Sequence, residues 1–333
     1  MRSYAPCKAI LFGEHAVVYD RLGIAAAIDQ KTYVEVTEGS GGVEINRILD
    51  PKYTKVSRSE LFGKLDRFDE IHGSKEFHKL KDFSFVDSLQ VVIGETMRRY
   101  GYKDVRIDIS FDNVLKGVGR SASKYSAITL ALANYLGHSI SAEEVNKIAY
   151  LGDVVSHSGM PSGIDTSAVT FGGVIAYRKS EGIKRIKLDY SLPLIVVDSG
   201  EPARNSETIP RVKRLLEERP AYGNGILDEI DGISAAALDA LRSRELGKVG
   251  ELMNRNHELL RQLDVSTERL DRIVRMALES GALGAKLTGG GGGGGAVVLV
   301  EDTESAQAVR AKLAEAGFRA FHARMGIEGV SLR

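Results

Sequence analysis

The chain has 333 residues, 43% of them apolar and 27% charged, enough for a sizeable core in two domains or one large α/β domain. Lysine plus arginine (45) equals aspartate plus glutamate (45), which argues against a broad nucleic-acid or membrane footprint while allowing a local basic site for a small anion. The lone cysteine, Cys7, excludes an intrachain disulfide framework and points to a reducing compartment. No apolar run approaches the roughly 18 residues of a membrane span, and no secretory pattern opens the chain. The expectation is a soluble, cytoplasmic protein.

In chain order, Ala9-Ile10-Leu11-Phe12 reads as a short apolar strand that ends at Gly13-Glu14-His15. By itself, a polar Glu14-His15 pair between apolar stretches reads as a surface turn. Ile24 to Ile28 and Thr32 to Val36 read as further strands. Residues 50 to 84 are charged and broken by turn residues, which suggests a surface excursion or lid. Asp87 to Arg99 has amphipathic helical spacing, and Val105 to Phe111 alternates as a half-buried strand.

Lys116-Gly117-Val118-Gly119-Arg120-Ser121-Ala122-Ser123-Lys124 follows that strand and opens a helix running to Leu136. Glycines and serines at a helix start form an anion site, because free backbone N–H groups and the helix dipole face the ligand. A tight turn with a serine N-cap is the plainer reading. The spacing matches neither the Walker loop nor Gly-x-Gly-x-x-Gly. Ser141-Ala142-Glu143-Glu144 reads as a capping box opening a helix to about Val155. Asp165, in the small-residue loop from Ser158 to Ala168, is either a turn cap or a functional carboxylate. Phe171 to Ala176 turns back into a strand, Leu194 to Val197 is a buried strand, and a mostly helical segment follows to about Ser280. A domain change is placed near residue 180, giving 1–180 and 181–333.

Seven consecutive glycines, Gly289 to Gly295, lie between Lys286-Leu287-Thr288 and the β-branched strand around Leu299. They are expected to join the helix Arg269–Ser280 to that strand. Glycine lets backbone or ligand approach closely, but fixing such a run costs roughly 1–2 kcal/mol per residue. A flexible linker is the alternative reading. The apolar elements on both sides, without serine or proline, favour a loop that is ordered because something must come close.

Four of these stretches occur in an order that resembles the GHMP small-molecule kinases, most closely the archaeal-type mevalonate kinases. Pro6 to Tyr19, with Gly13-Glu14-His15-Ala16-Val17-Val18, is similar to the first motif. Gly117 to Ser123 falls where the family has its phosphate loop. Pro161-Ser162-Gly163-Ile164-Asp165 resembles the catalytic-aspartate loop, and Lys286-Leu287-Thr288 with the glycines resembles the third motif. Asn254 to Leu260 is similar to a helix of the archaeal-type enzymes.

The resemblance implies an α+β, two-domain fold, with an N-terminal ribosomal-protein-S5-like domain and a C-terminal ferredoxin-like α/β domain. It implies phosphorylation of a small-molecule hydroxyl by ATP with Mg²⁺, the acceptor being mevalonate. Asp165 would be the base and Lys8 its electrostatic partner. Glu14, His15, Thr288 and Gly289 would bind the acceptor, and Lys116, Gly117, Val118, Gly119, Arg120, Ser121, Ala122 and Ser123 would bind ATP. Ser123 or Ser121, with Asp153, would hold the metal. The partner is a small molecule, with no nucleic acid and no membrane, and a homodimer is left open.

The chain also departs from the family pattern. Cys7 stands where the family has glycine, and the phosphate loop lacks its proline and carries Arg120 and Lys124 in place of small or apolar residues. Glycines replace an alanine and a cysteine of the third motif. The family's metal-binding glutamate falls at or near Val154, one residue from Asp153. Arg120 and Lys124 allow an alternative in which the acceptor already carries a phosphate. A further alternative is a degenerate kinase fold that binds a metabolite without catalysis.

Overall fold

The structure is a computed structural model that describes residues 1–47, 52–112 and 117–333. The first half builds a sheet from β1 (Arg2–Phe12), β2 (Gly23–Glu38), β3 (Val43–Arg47) and β4 (Lys52–Val56). Helices α1 (Arg58–Ser74) and α2 (Phe85–Tyr100) follow, then β5 (Val105–Phe111), α3 (Arg120–Tyr135), α4 (Ala142–Ser156), α5 (Ile164–Phe171), β6 (Val174–Arg178) and β7 (Gly182–Ile186). Among the described residues the strand order is β1-β2-β5-β3-β4, with β6 and β7 extending the sheet beside β2 and the closing strand Ser331–Leu332 pairing on the free edge of β1.

The two strands expected at residues 24–28 and 32–36 are one long strand. A register shift opposite Pro6 and Cys7 divides its pairing with β1 and mimics a break in the sequence pattern. Residues 58–74 are a helix rather than a loose excursion. A complete capping box at Ser57 and Glu60 starts it, and Leu61, Leu65, Phe68 and Ile71 fill a buried stripe at helical spacing.

The second half starts at β8 (Leu194–Asp198) and runs through α6 (Asn205–Glu218), α7 (Pro220–Arg242), α8 (Leu246–Gln262) and α9 (Glu268–Glu279). It ends in β9 (Gly284–Thr288), β10 (Gly295–Leu299), α10 (Thr303–Glu315) and β11 (Arg319–Ala323), after which β12 (Ser331–Leu332) returns to pair with β1. The order β11-β8-β10-β9, antiparallel throughout, is the expected ferredoxin-like sheet. The division expected at residue 180 falls in the turn of the β6–β7 hairpin, which belongs to the first sheet. One continuous apolar cluster runs from β1 and β2 through β6 into the second sheet, so the two halves share a core. No helix among the described residues is long and apolar enough to cross a membrane.

The glycine run joins two antiparallel strands, β9 and β10, and not a helix to a strand. The strand before it was hidden by its shortness and by Lys286, a charged residue inside a fully buried element.

Candidate active site

Lys8 sits mid-strand in β1, where the chain bends at the register shift, and its Nζ meets Asp165 Oδ1 at 2.7 Å. The lysine side chain is 2% exposed and the aspartate 20%, so the pair has one face open to the cavity. Asp165 lies in the first turn of α5, whose N-terminus favours a negative charge. It is therefore neither an N-cap nor an isolated turn residue.

The phosphate-loop segment reaches this pair from the other side. Gly119 caps α3 with φ +70, and a Cβ there would lie 2.6 Å from Lys8 Cε, so only glycine lets the lysine stem pass. Val118 accepts a hydrogen bond from Lys8 N at 2.9 Å, while its side chain joins the core. Gly117 meets the backbone of Gly294 and Gly295, so the two glycine loops touch with no side chain between them.

The run Gly289–Gly295 is ordered by the residues around it, which removes the linker reading. Gly292 N donates to Val265 O at 2.8 Å, Gly294 N donates to Glu201 O at 2.9 Å, and Arg204 N donates to Gly291 O at 3.2 Å. At Gly291, φ is +73 and a Cβ would lie 2.0 Å from Val265 O.

The cavity between the halves is lined by residues that include Glu14, His15, Asp153, His157, Asp165 and Gly289. Glu14 and His15 are 1% and 6% exposed, so the surface-turn expectation is corrected. His15, at φ +62, turns its Nε2–H onto Gly290 O at 2.9 Å, and burial lowers its pKa to about 4, which keeps it neutral. Glu14 is ion-paired with Lys286 in a fully enclosed contact that the sequence reading missed. Burial pushes Glu14 up and Lys286 down, each opposed by the charge of the other.

Val154 points into the apolar cluster under α1, while Asp153 faces the cavity. Its carboxyl is pushed up to about 7, first by burial and further by Asp165, against the pull of His157 and Lys8. Its Oδ1 is buried without a hydrogen-bond partner. A lone buried carboxylate oxygen beside a second carboxylate is a donor set that suits a hard divalent cation such as Mg²⁺.

Several expected ligands are otherwise engaged. The Ser123 hydroxyl donates to Ala5 O at 2.9 Å and is fully buried, which leaves Ser121, half-buried at the second position of α3, as the serine accessible to a ligand. Thr288 accepts from Ile10 N at 2.9 Å and donates to Ile10 O at 3.0 Å, so its hydroxyl ties β9 to β1 and does not face an acceptor. Ala122 packs in the core. Arg120 lies over the Phe111 ring at 4.4 Å, and Lys124 over Phe85 at 4.2 Å, buried; neither lines the cavity. Lys116 lies outside the described residues.

The Asn254–Leu260 stretch clamps the site from behind. Asn254 Oδ1 takes Ala285 N at 2.9 Å, Asn256 Oδ1 takes Gly13 N at 3.4 Å, and His257 Nδ1 takes Leu287 N at 3.4 Å. These bonds fix β9 against the end of β1.

Residues 88–173 match the model of the GHMP kinases N terminal domain, and residues 237–319 match that of the GHMP kinases C terminal. The mevalonate kinase of Pyrococcus horikoshii is 33% identical over 324 residues, covering 93% of this chain and 91% of that protein. The crystal structure of the Methanococcus jannaschii mevalonate kinase superposes with a TM-score of 0.79 at 27% identity, covering 98% of each chain. That of L. major mevalonate kinase in complex with R-mevalonate gives 0.75 at 28% identity, covering 99% of this chain and 97% of that one. Sequence and fold thus agree along nearly the whole length, and the chain belongs to the GHMP kinase family as a mevalonate kinase-like phosphotransferase.

Proposed function

We propose that the protein transfers the terminal phosphate of ATP to a hydroxyl of mevalonate. The observation that carries this reading is the 2.7 Å contact of Lys8 with Asp165 at the wall of a cavity bordered by Gly289 and Gly290 of the glycine run. Phosphoryl transfer asks the protein for positioning, charge neutralisation and an oriented nucleophile. Asp165 accepts the proton of the attacking hydroxyl. Lys8 stays beside it and offsets charge as the oxygen approaches the phosphoryl group. Backbone N–H groups at the start of α3, with Gly117 and Gly119 ahead of them, cradle the phosphates, and Gly289 with its neighbours leaves the opposite side free of side chains. Asp153 and Ser121 would hold Mg²⁺, which when bound neutralises charge on the nucleotide phosphates.

The cavity chemistry favours mevalonate over its phosphates. No lysine or arginine is among the described residues lining it, and the two added cations, Arg120 and Lys124, lie over aromatic rings elsewhere. The test is ADP release from ATP and Mg²⁺ across mevalonate, its monophosphates and simple sugars. Mevalonate is expected to support turnover. Turnover of only a phosphorylated form or a sugar would replace the acceptor assignment.

A further inference from the structure

Lys286 contributes nothing to the wall of the cavity, yet it is fully enclosed and its ammonium reaches across the boundary between the halves to Glu14. It donates to Glu14 Oε1 and, at 2.7 Å, to Leu287 O. The other carboxylate oxygen, Glu14 Oε2, is buried with no hydrogen-bond partner, and Glu14 lines the cavity that also holds Asp165. A fold rarely leaves a buried acceptor unsatisfied without a use for it. Carrying negative charge, Oε2 repels a carboxylate or phosphate and accepts from a hydroxyl.

We propose that Lys286 is a positioning residue for the acceptor: it holds Glu14 ionised, with Oε1 occupied and Oε2 presented to a hydroxyl other than the one phosphorylated. This rests on the phosphoryl-transfer reading above. Without the ammonium, a carboxyl in this dry position takes up a proton, and its free oxygen loses the charge that orders a donor. The pair also joins the loop after β1 to β9. The acceptor site is therefore complete only when the two halves are seated, a register already fixed by Thr288 on Ile10 and by Asn256 on Gly13.

The test compares wild type, Lys286→Met and the double variant Glu14→Gln/Lys286→Met. Readouts are acceptor and ATP kinetics, melting, and the infrared band of a protonated carboxyl. Lys286→Met is expected to raise the acceptor KM about 10-fold or more, leave the ATP KM within about 2-fold, and move the acid limb of kcat/KM to higher pH. It should also show a protonated-carboxyl band absent from the other two proteins. The double variant, an uncharged pair of similar volume, should regain wild-type melting and keep the raised acceptor KM. A double variant with wild-type acceptor KM, or a Lys286→Met protein without the infrared band, overturns the proposal. If Lys286→Met does not fold, the double variant alone decides. If wild type turns over no acceptor, the phosphoryl-transfer reading fails separately, and the infrared band still decides whether Lys286 sets the charge of Glu14.

Discussion

Two lysine–carboxylate pairs lie close together in this molecule and differ in one physical respect. In Lys8–Asp165 the carboxylate keeps a fifth of its surface open to the cavity; in Lys286–Glu14 neither side chain is exposed. The open pair can exchange a proton with a bound molecule, and if Lys8 is removed water can still reach the Asp165 carboxylate. The sealed pair cannot, and removing one partner strands the other in a dry site. The same two residue types therefore serve reaction chemistry in one place and the geometry around it in the other. Access to water decides which.

The comparison can be broken at either pair. The largest effect is expected from Asp165→Asn: ADP release falls 10³- to 10⁴-fold, about 4–5.5 kcal/mol, while nucleotide affinity by calorimetry stays within about 3-fold. Lys286→Met should cost about 3–5 kcal/mol of stability in denaturant titration, because a buried carboxyl is left unpaired. Lys8→Met should do the reverse, cutting kcat about 10²-fold (~2.7 kcal/mol) while costing less stability than Lys286→Met, because the Asp165 carboxylate left behind still meets water. Equal stability losses in the two methionine variants would erase the distinction.

Gly119→Ala presses on the Lys8 stem from a position with φ +70, and it should lower kcat about 10-fold without changing the charge of the site.

The smallest effect concerns His257, whose folded-state pKa is lowered to about 4, first by burial, against 6.5 when exposed. The unfolded chain therefore binds the extra proton first, and this contribution is lost as pH falls from 6.5 toward 4. Asp153, raised to about 7, acts in the opposite sense, so the measurement is the stability gap between wild type and His257→Gln. Between pH 7.5 and 5.5 that gap should move by about 1.3 kcal/mol against wild type. A gap independent of pH would show that His257 is not held neutral.

Much of the fold was legible because it is written locally. The capping box at Ser141 and the alternation from Val105 to Phe111 each mark an element within a few residues. Helix α1 was legible in principle from Leu61, Leu65, Phe68 and Ile71, but dense charge on its outer face masked the stripe. The family motifs carried Lys8 and Asp165, which the fold brings into contact. They included Lys286 in the third motif but gave it no role, because its partner is 272 residues away and its strand is only five residues long.

By itself, then, the sequence determined many of the elements and the kinase family, because hydrophobic period, caps and motif residues act over short spans. Only the tertiary structure decided which oxygens of Asp153 and Glu14 are left without a partner, that Ser123 and Thr288 are engaged by backbone, and that Glu14 pairs with Lys286. Those outcomes follow from burial and pairing between distant segments, and a side chain's accessibility to water exists only once those segments have packed.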